Sequence, residues 1–120
     1  MSGTGQTDNN AVFCRGESMR PLFRPGDRIR FVPCRAEEVR PGDVIIFVPP
    51  GRDERVVHRV VSTGPDGIRT KGDANPYGDV WELQQVDIIG RAEALERDGR
   101  VTPVAGGIAG RLLVACIRAF

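Results

Sequence analysis

The apolar residues of this chain fall into short runs, and turns rich in proline and glycine precede the first two. The run from Arg28 to Val32 alternates polar and apolar residues, which is typical of a strand with one buried face. The run from Val44 to Val48 is apolar throughout and predicts a strand buried on both faces. The preceding turns, Arg24 to Asp27 and Arg40 to Asp43, both read Arg-Pro-Gly-Asp. We expect each glycine to adopt a positive φ and each aspartate to bond nearby backbone amides.

Two hairpins and one helix account for the rest of the pattern. The first hairpin is predicted over Arg55 to Lys71, with its turn at Pro65-Asp66-Gly67, and the second over residues 86–103, through Asp98-Gly99. Only Val104 to Phe120 has helical spacing. Its apolar stripe consists of Ile108, Leu112, Ala115 and Ala119. The predicted fold class is therefore mainly β with one C-terminal helix. Its parts are a polar tail (1–11), a β domain (12–103) and the helix (104–120).

Composition excludes several classes of protein. A chain of 120 residues is one domain, and its 17 basic and 16 acidic residues leave no basic field for nucleic acid. The polar start lacks the plan of a secretory signal, and no window reaches the roughly eighteen continuous apolar residues that span a bilayer. We therefore expect a soluble, cytoplasmic protein. The cysteines, Cys14, Cys34 and Cys116, have no metal-ligand spacing, so we expect free reduced thiols and neither metal nor cofactor.

A serine, the single histidine and two later aspartates are the candidates for chemistry. Ser18 lies in the flexible stretch Gly16 to Pro21, His58 lies in a predicted strand, and Asp73 and Asp79 flank a turn. A hydroxyl nucleophile that is activated by a histidine, itself oriented by a carboxylate, requires these residue types. Each also has an ordinary structural interpretation. The serine and the aspartates are common turn-capping residues, and a histidine among valines is often part of a core.

The choice of base rests on the neighbours of each candidate. Lys71 is the alternative to His58, but adjacent aspartates favour its charged form, which is a poor base. Strand alternation puts His58 on one face with Val56 and Val60, and Arg59 on the other face. The residues therefore favour His58.

The amino-acid sequence around these residues resembles the characteristic sequence motifs, or boxes, of type I signal peptidases. The boxes are Gly16-x-Ser18-Met19-x-Pro21 with Gly26-Asp27, Arg40 to Phe47, Val57-His58-Arg59-Val60, and Lys71-Gly72-Asp73-Ala74-Asn75 with Asp79. Histidine at the position where most bacterial members have lysine is similar to the endoplasmic-reticulum, archaeal and some Gram-positive members. The resemblance extends over residues 12–95.

This resemblance implies a Ser-His-Asp serine peptidase on a small β fold shared with self-cleaving SOS-response repressors. Ser18 would attack the carbonyl after a small residue, typically in an Ala-x-Ala pattern, and His58 would carry the proton. Asp73 would hold the imidazole, with Asp79 as a support or as the alternative partner. Gly16 and Met19 would border the substrate and the oxyanion, for which the Ser18 amide is one donor. Gly16 occupies a position where some members have a serine as second donor.

The sequence departs from the family at its start, where a polar tail stands in place of a membrane-spanning helix. We therefore expect the substrate to be a precursor or leader peptide. The alternative is a relative that binds an extended peptide without cleaving it, or that cleaves itself at Ala105-Gly106 or Ala109-Gly110. Arg111 and Arg118 share one face of the predicted helix, which suits peripheral contact with a membrane. The favoured interpretation is a helix that closes its own core or meets a partner chain.

Overall fold

A curled antiparallel sheet forms the protein in the computed structural model, which describes residues 10–118. The elements of this region are β1 (Ala11–Phe13), β2 (Arg28–Val32), β3 (Val44–Phe47), β4 (Val56–Gly64), β5 (Gly67–Lys71), β6 (Ile88–Arg97), β7 (Arg100–Pro103) and α1 (Gly107–Arg118), with short 3₁₀ turns at Ala36–Glu38 and Gln85–Asp87. The predicted fold class, mainly β with one C-terminal helix, is confirmed. Most of the predicted polar tail lies outside the described residues.

Strand β6 organises the sheet, in which the strand order is β1-β2-β6-β3-β4-β5. The first half of β6 pairs with β3, and its second half pairs with both β2 and β7. Irregularities in register interrupt the pairing of β6 with β2 and with β3. Such bulges bend strands and increase their twist, which is consistent with the curl of this sheet.

Two apolar cores lie on opposite sides of β3. The first core contains Met19, Phe23, Ile29, Phe31, Val44, Ile46, Ala92 and Leu95. The second core contains Val39, Ile45, Phe47, Val60, Ile68, Leu83 and Ile88. Because successive residues of a strand point to opposite faces, β3 contributes two side chains to each core. The prediction that this strand is buried on both faces is confirmed.

The two Pro-Gly-Asp turns have the predicted conformation. Gly26 and Gly42 have φ values of 95° and 99°, a region that strongly favours glycine. Asp27 Oδ2 accepts the Arg24 amide at 2.8 Å, and Asp43 Oδ2 accepts the Arg40 amide at 2.9 Å. The aspartate side chain therefore closes each turn.

The second oxygen of each aspartate binds a segment that is distant in sequence. Asp27 Oδ1 accepts Arg97 Nε at 2.8 Å, which ties the first turn to the end of β6. Asp43 Oδ1 accepts the Gly107 amide at 2.8 Å, and a carboxylate is favourable at the start of a helix. Each aspartate therefore stabilises its own turn and also joins that turn to a segment that is distant in sequence.

Strand β1 was not predicted, and the starts of β6 and α1 differ from the prediction. The strand predicted from Val86 begins at Ile88, because residues 85–87 form a 3₁₀ turn whose Asp87 carboxylate accepts the Gln84 amide. The helix predicted from Val104 begins at Gly107, where the Asp43 carboxylate caps it.

The predicted apolar stripe of the helix is exposed at two of its positions. Ile108 is 76% exposed and Leu112 is 61% exposed, so these two side chains do not close the protein's own core. The side chain of Ala115 and all of Ala119 lie outside what the structure describes. Within residues 10–118, no helix has the length and apolar character needed to cross a membrane.

The Asp27–Arg97 pair predicts a specific acid dependence of stability. Its hydrogen bonds from Arg97 hold the pKa of the Asp27 carboxyl below its ordinary value, against the opposing effect of burial. The stabilising contribution is therefore complete above the unfolded-state pKa of about 3.9 and is lost as the pH falls through the lower folded-state pKa. We expect the difference in unfolding free energy between wild type and Arg97→Gln to be largest near neutrality and to shrink below pH 4.

Urea unfolding followed between about pH 7 and pH 2 measures this difference. Arg100→Gln, at an exposed position of β7, is the matched control and should differ little from wild type at any pH. A gap between wild type and Arg97→Gln that stays constant over the whole range would contradict the prediction.

Candidate active site

The loop between β1 and β2 carries Ser18, and its neighbours fix the loop to the protein. Met19 is 2% exposed and Phe23 is fully buried, both in the first core. The Met19 carbonyl accepts the Phe23 amide at 3.0 Å, and the Ser18 carbonyl accepts the Ala74 amide at 2.8 Å. The backbone of the serine is therefore held from both sides, while its side chain is left partly exposed.

Close backbone contact at Gly72 brings the later loop against the serine. A Cβ atom at Gly72 would lie 2.7 Å from the Ser18 carbonyl oxygen and 2.9 Å from its Cβ. Such distances are too short for a side chain, so glycine is required for this contact.

Three side chains form a continuous series of hydrogen bonds. Ser18 Oγ lies 2.9 Å from His58 Nε2, and His58 Nδ1 lies 2.6 Å from Asp79 Oδ2. The side chains of His58 and Asp79 are each 9% exposed, so this end of the series is shielded from water. The serine end is open, and a reacting group could reach it there.

Asp73 does not contact the imidazole. The resemblance implied Asp73 as the imidazole partner and Asp79 as the alternative, and the structure has the alternative. Both Asp73 oxygens instead accept from Arg59, at 2.9 Å from Nε and 3.0 Å from Nη2. The two side chains are 3% and 6% exposed, so this is a buried ion pair.

Alternation along β4 explains how the two aspartates are divided. His58 pairs across the sheet with Ile45 of the second core, whereas Arg59 pairs with Val44 of the first. Residues directly opposite each other in an antiparallel pair point to the same face. The Asp79 carboxylate therefore binds the side chain on the second-core face of β4, and the Asp73 carboxylate binds the side chain on the first-core face.

The remaining predicted site residues have different surroundings. Gly16 is exposed beside Ser18, in open space. The Met19 side chain is buried, and its sulfur accepts the Asp73 amide at 3.4 Å, so this side chain does not border an open substrate site. Lys71 Nζ donates to the Gly72 carbonyl at 3.1 Å, while the serine hydroxyl is within hydrogen-bonding distance of His58.

Sequence reasoning missed three residues around the site. Thr70 Oγ1 donates to Asp79 Oδ2 at 2.7 Å, and Trp81 Nε1 donates to Thr70 Oγ1 at 3.0 Å. Arg59 also donates to the carbonyls of Gly42 and Ala105. Arg59 and Thr70 are polar residues within predicted strands, and this was the available signal. A buried arginine or threonine needs hydrogen-bond partners, so each indicates a polar neighbour.

The two cysteines whose side chains are described form no part of the series from Ser18 to Asp79. Cys14 and Cys34 are free thiols, and burial raises the pKa of both. Cys116 lies among the residues whose side chains are not described. Among the described residues, no group of three or more His, Cys, Asp or Glu side chains is arranged to hold a metal ion.

The fold and the site together define a small β protein with a serine, a histidine and an aspartate in hydrogen-bonding sequence. A family profile described as "Signal peptidase, peptidase S26" matches residues 9–79, more than half of the chain. The protein therefore belongs to the signal peptidase family. Comparisons with curated proteins and with solved structures found no match.

The buried ion pair predicts a large loss of stability when one partner is removed. Asp73→Ala leaves the Arg59 guanidinium buried without its carboxylate, which should lower the unfolding free energy by about 3–5 kcal/mol. The double variant Arg59→Met/Asp73→Ala should lose less than the sum of the single variants, because neither charge is left unpaired. Urea unfolding measures all of these, with Asp66→Ala in the exposed β4–β5 turn as the control. Additive losses would contradict the prediction.

The contact at Gly72 predicts a second, separate effect. In Gly72→Ala the new methyl group must displace the Ser18 backbone, the Asn75 side chain or both. We expect changed amide chemical shifts at residues 17–19 and 73–75, measured by NMR. Gly64→Ala, where a Cβ would meet open space, is the matched control and should leave those shifts unchanged. Unchanged shifts in Gly72→Ala would be the contrary result.

Proposed function

We propose that the protein is a serine endopeptidase of signal-peptidase type, with Ser18 as nucleophile, His58 as base and Asp79 as the orienting carboxylate. The observation that carries this proposal is the unbroken series from Ser18 Oγ through both ring nitrogens of His58 to Asp79. Membership of the signal peptidase family supports it, and the matched residues include all three side chains.

The proposed reaction follows from the roles of these groups. As Ser18 Oγ attacks the carbonyl carbon, its proton passes to His58 Nε2, and the resulting imidazolium is stabilised by the Asp79 carboxylate. The tetrahedral intermediate collapses when Nε2 returns the proton to the leaving amine, which breaks the peptide bond. A water molecule then attacks the acyl carbon as His58 Nε2 takes its proton. The ester bond breaks when Nε2 returns that proton to Ser18 Oγ, which releases the product acid. Positioned base catalysis contributes about a hundred- to ten-thousandfold.

The oxyanion would be bound by backbone donors at the serine turn. The Ser18 amide is the first donor, as the family resemblance implies, and it is fixed by the bonds that hold the loop. Gly16 has no side-chain donor to add, so a second donor would have to come from elsewhere. Each donor of this kind contributes about a hundred- to a thousandfold.

The proposed substrate is a precursor or leader peptide cleaved after a small residue in an Ala-x-Ala-like pattern. This part of the proposal rests on the family resemblance. Peripheral contact of α1 with a membrane is a further part of the proposal. The exposed apolar side chains of Ile108 and Leu112 support it.

Self-cleavage at the two small-residue bonds is the alternative function. The Ala105 carbonyl accepts from Arg59 at 3.1 Å, and Arg59 lies on the face of β4 opposite His58. Ala109 and Gly110 lie within α1, whereas a peptidase of this type attacks an extended chain. These observations favour cleavage of a separate peptide over self-cleavage, and they leave peptide binding without cleavage as the remaining alternative.

Cleavage of a synthetic Ala-x-Ala signal-peptide substrate, read by mass spectrometry with detergent or lipid present, tests the proposal. We expect cleavage after the small residue by wild type and none by Ser18→Ala, which lacks the attacking oxygen. Asp79→Asn should lose about a hundredfold or more in kcat, because an amide supports the wrong histidine tautomer.

Asp66→Asn is the matched control and should cleave like wild type, since Asp66 is exposed in the β4–β5 turn. Equal cleavage by wild type and Ser18→Ala would refute the serine mechanism. Binding of the intact peptide by folded wild type, with cleavage by neither protein, would favour the peptide-binding alternative.

A further inference from the structure

The carboxylate that contacts His58 has a second buried partner. Asp79 Oδ2 accepts from Thr70 Oγ1 at 2.7 Å as well as from His58 Nδ1 at 2.6 Å. The Asp79 amide also donates to the Thr70 carbonyl at 2.8 Å. Thr70 is only 1% exposed and lies opposite Val60 on the same face of the sheet as His58. Its side chain and its backbone therefore both hold Asp79 in place.

The Thr70 hydroxyl has its direction set by an indole. Trp81 Nε1 lies 3.0 Å from Thr70 Oγ1, and an indole nitrogen can only donate. The hydroxyl must therefore accept from Trp81, which leaves its single proton for the Asp79 carboxylate. Because an ionised carboxylate only accepts, His58 Nδ1 must carry a proton in this contact. Nε2 of a neutral ring then has the lone pair that accepts the Ser18 proton.

Aromatic packing holds the indole at the start of this series. The Trp81 ring meets the buried Phe47 ring edge-on, with centroids 5.8 Å apart, and the Arg52 guanidinium lies 5.5 Å from the Trp81 ring centroid. Phe47 also meets the His58 ring edge-on at 6.2 Å. Phe47, which is fully buried, thus packs against both Trp81 and His58, the two rings joined by hydrogen bonds through Thr70 and Asp79.

We propose that Thr70 and Trp81 are positioning residues that favour the Nδ1-protonated tautomer of His58 by holding the Asp79 carboxylate against the ring. The inference rests on the proposed function for its effect on catalysis, whereas its effect on the histidine is independent of any substrate. A merely structural role would stabilise the fold around β5 without changing which ring nitrogen carries the proton.

The chain has one histidine, so nitrogen NMR of protein labelled at histidine reports on this ring alone. At a pH where the ring is neutral, we expect wild type to show a protonated Nδ1 and an unprotonated Nε2. Thr70→Val removes the hydroxyl but keeps the shape, and it should shift the population towards the Nε2-protonated form. Thr70→Ser keeps the donor and should restore the wild-type ratio.

Kinetics on the Ala-x-Ala peptide supply the second readout. Thr70→Val should lower kcat by about tenfold to a hundredfold, the size expected for one hydrogen bond to a charged acceptor, with KM within about twofold of wild type. Trp81→Phe keeps an aromatic side chain but loses the N–H donor together with the pyrrole part of the indole. Its loss in kcat should be smaller, about two- to fivefold, since cooperative strengthening is modest. Thr63→Val, at an exposed position of β4, is the matched control and should match wild type.

The two readouts separate failure of this inference from failure of the proposed function. An unchanged tautomer ratio in folded Thr70→Val would overturn the inference, whatever the kinetics. Absence of cleavage by wild type would remove the proposed function, and the NMR measurement would still decide the inference. If Thr70→Val does not fold, Thr70→Ala, which leaves only a small cavity, takes its place in both measurements, with the same results expected.

Discussion

The buried guanidinium of Arg59 is the interaction on which the arrangement of the site depends. A charge in a protein interior is tolerated only when it is paired and its donors are satisfied. Arg59 meets this condition with both oxygens of Asp73 and with the carbonyls of Gly42 and Ala105. Its partners come from the turn before β3, the loop after β5 and the segment before α1. One side chain thus joins three segments, and one of them is the loop that lies against Ser18.

Alternation of side chains along β4 determines which aspartate pairs with which side chain. His58 and Arg59 are adjacent in sequence, but they face different cores, and each takes one aspartate. Asp73 is neutralised by Arg59 and leaves Asp79 as the carboxylate beside the imidazole. The separation of the two pairs lets one carboxylate have a structural partner while the other remains in contact with the histidine. A shift of β4 by one residue would exchange the two faces and abolish both pairs.

Local pattern predicted the strands from β2 onward, the two Pro-Gly-Asp turns and the opposite orientations of His58 and Arg59, because each depends on neighbours within a few residues. Strand β1 was not predicted. The choice between Asp73 and Asp79 could not be predicted in this way. It depends on the course of the loop over residues 72–79, and that course is fixed by contacts with Ser18 and Arg59, which are distant in sequence. The start of α1 was missed for the same reason, since a carboxylate from the turn before β3 caps it.

The late position of β6 in the chain has a consequence for biosynthesis. β6 lies between β2 and β3 in the sheet, yet it follows both in sequence by more than forty residues. A nascent chain that ends before Ile88 would contain every member of the hydrogen-bonded series but would have no strand to join its two halves. Its unpaired strand edges would be open to other chains until β6 emerged from the ribosome. The two halves of the sheet that carry the series would thus be joined only after β6 has been synthesised.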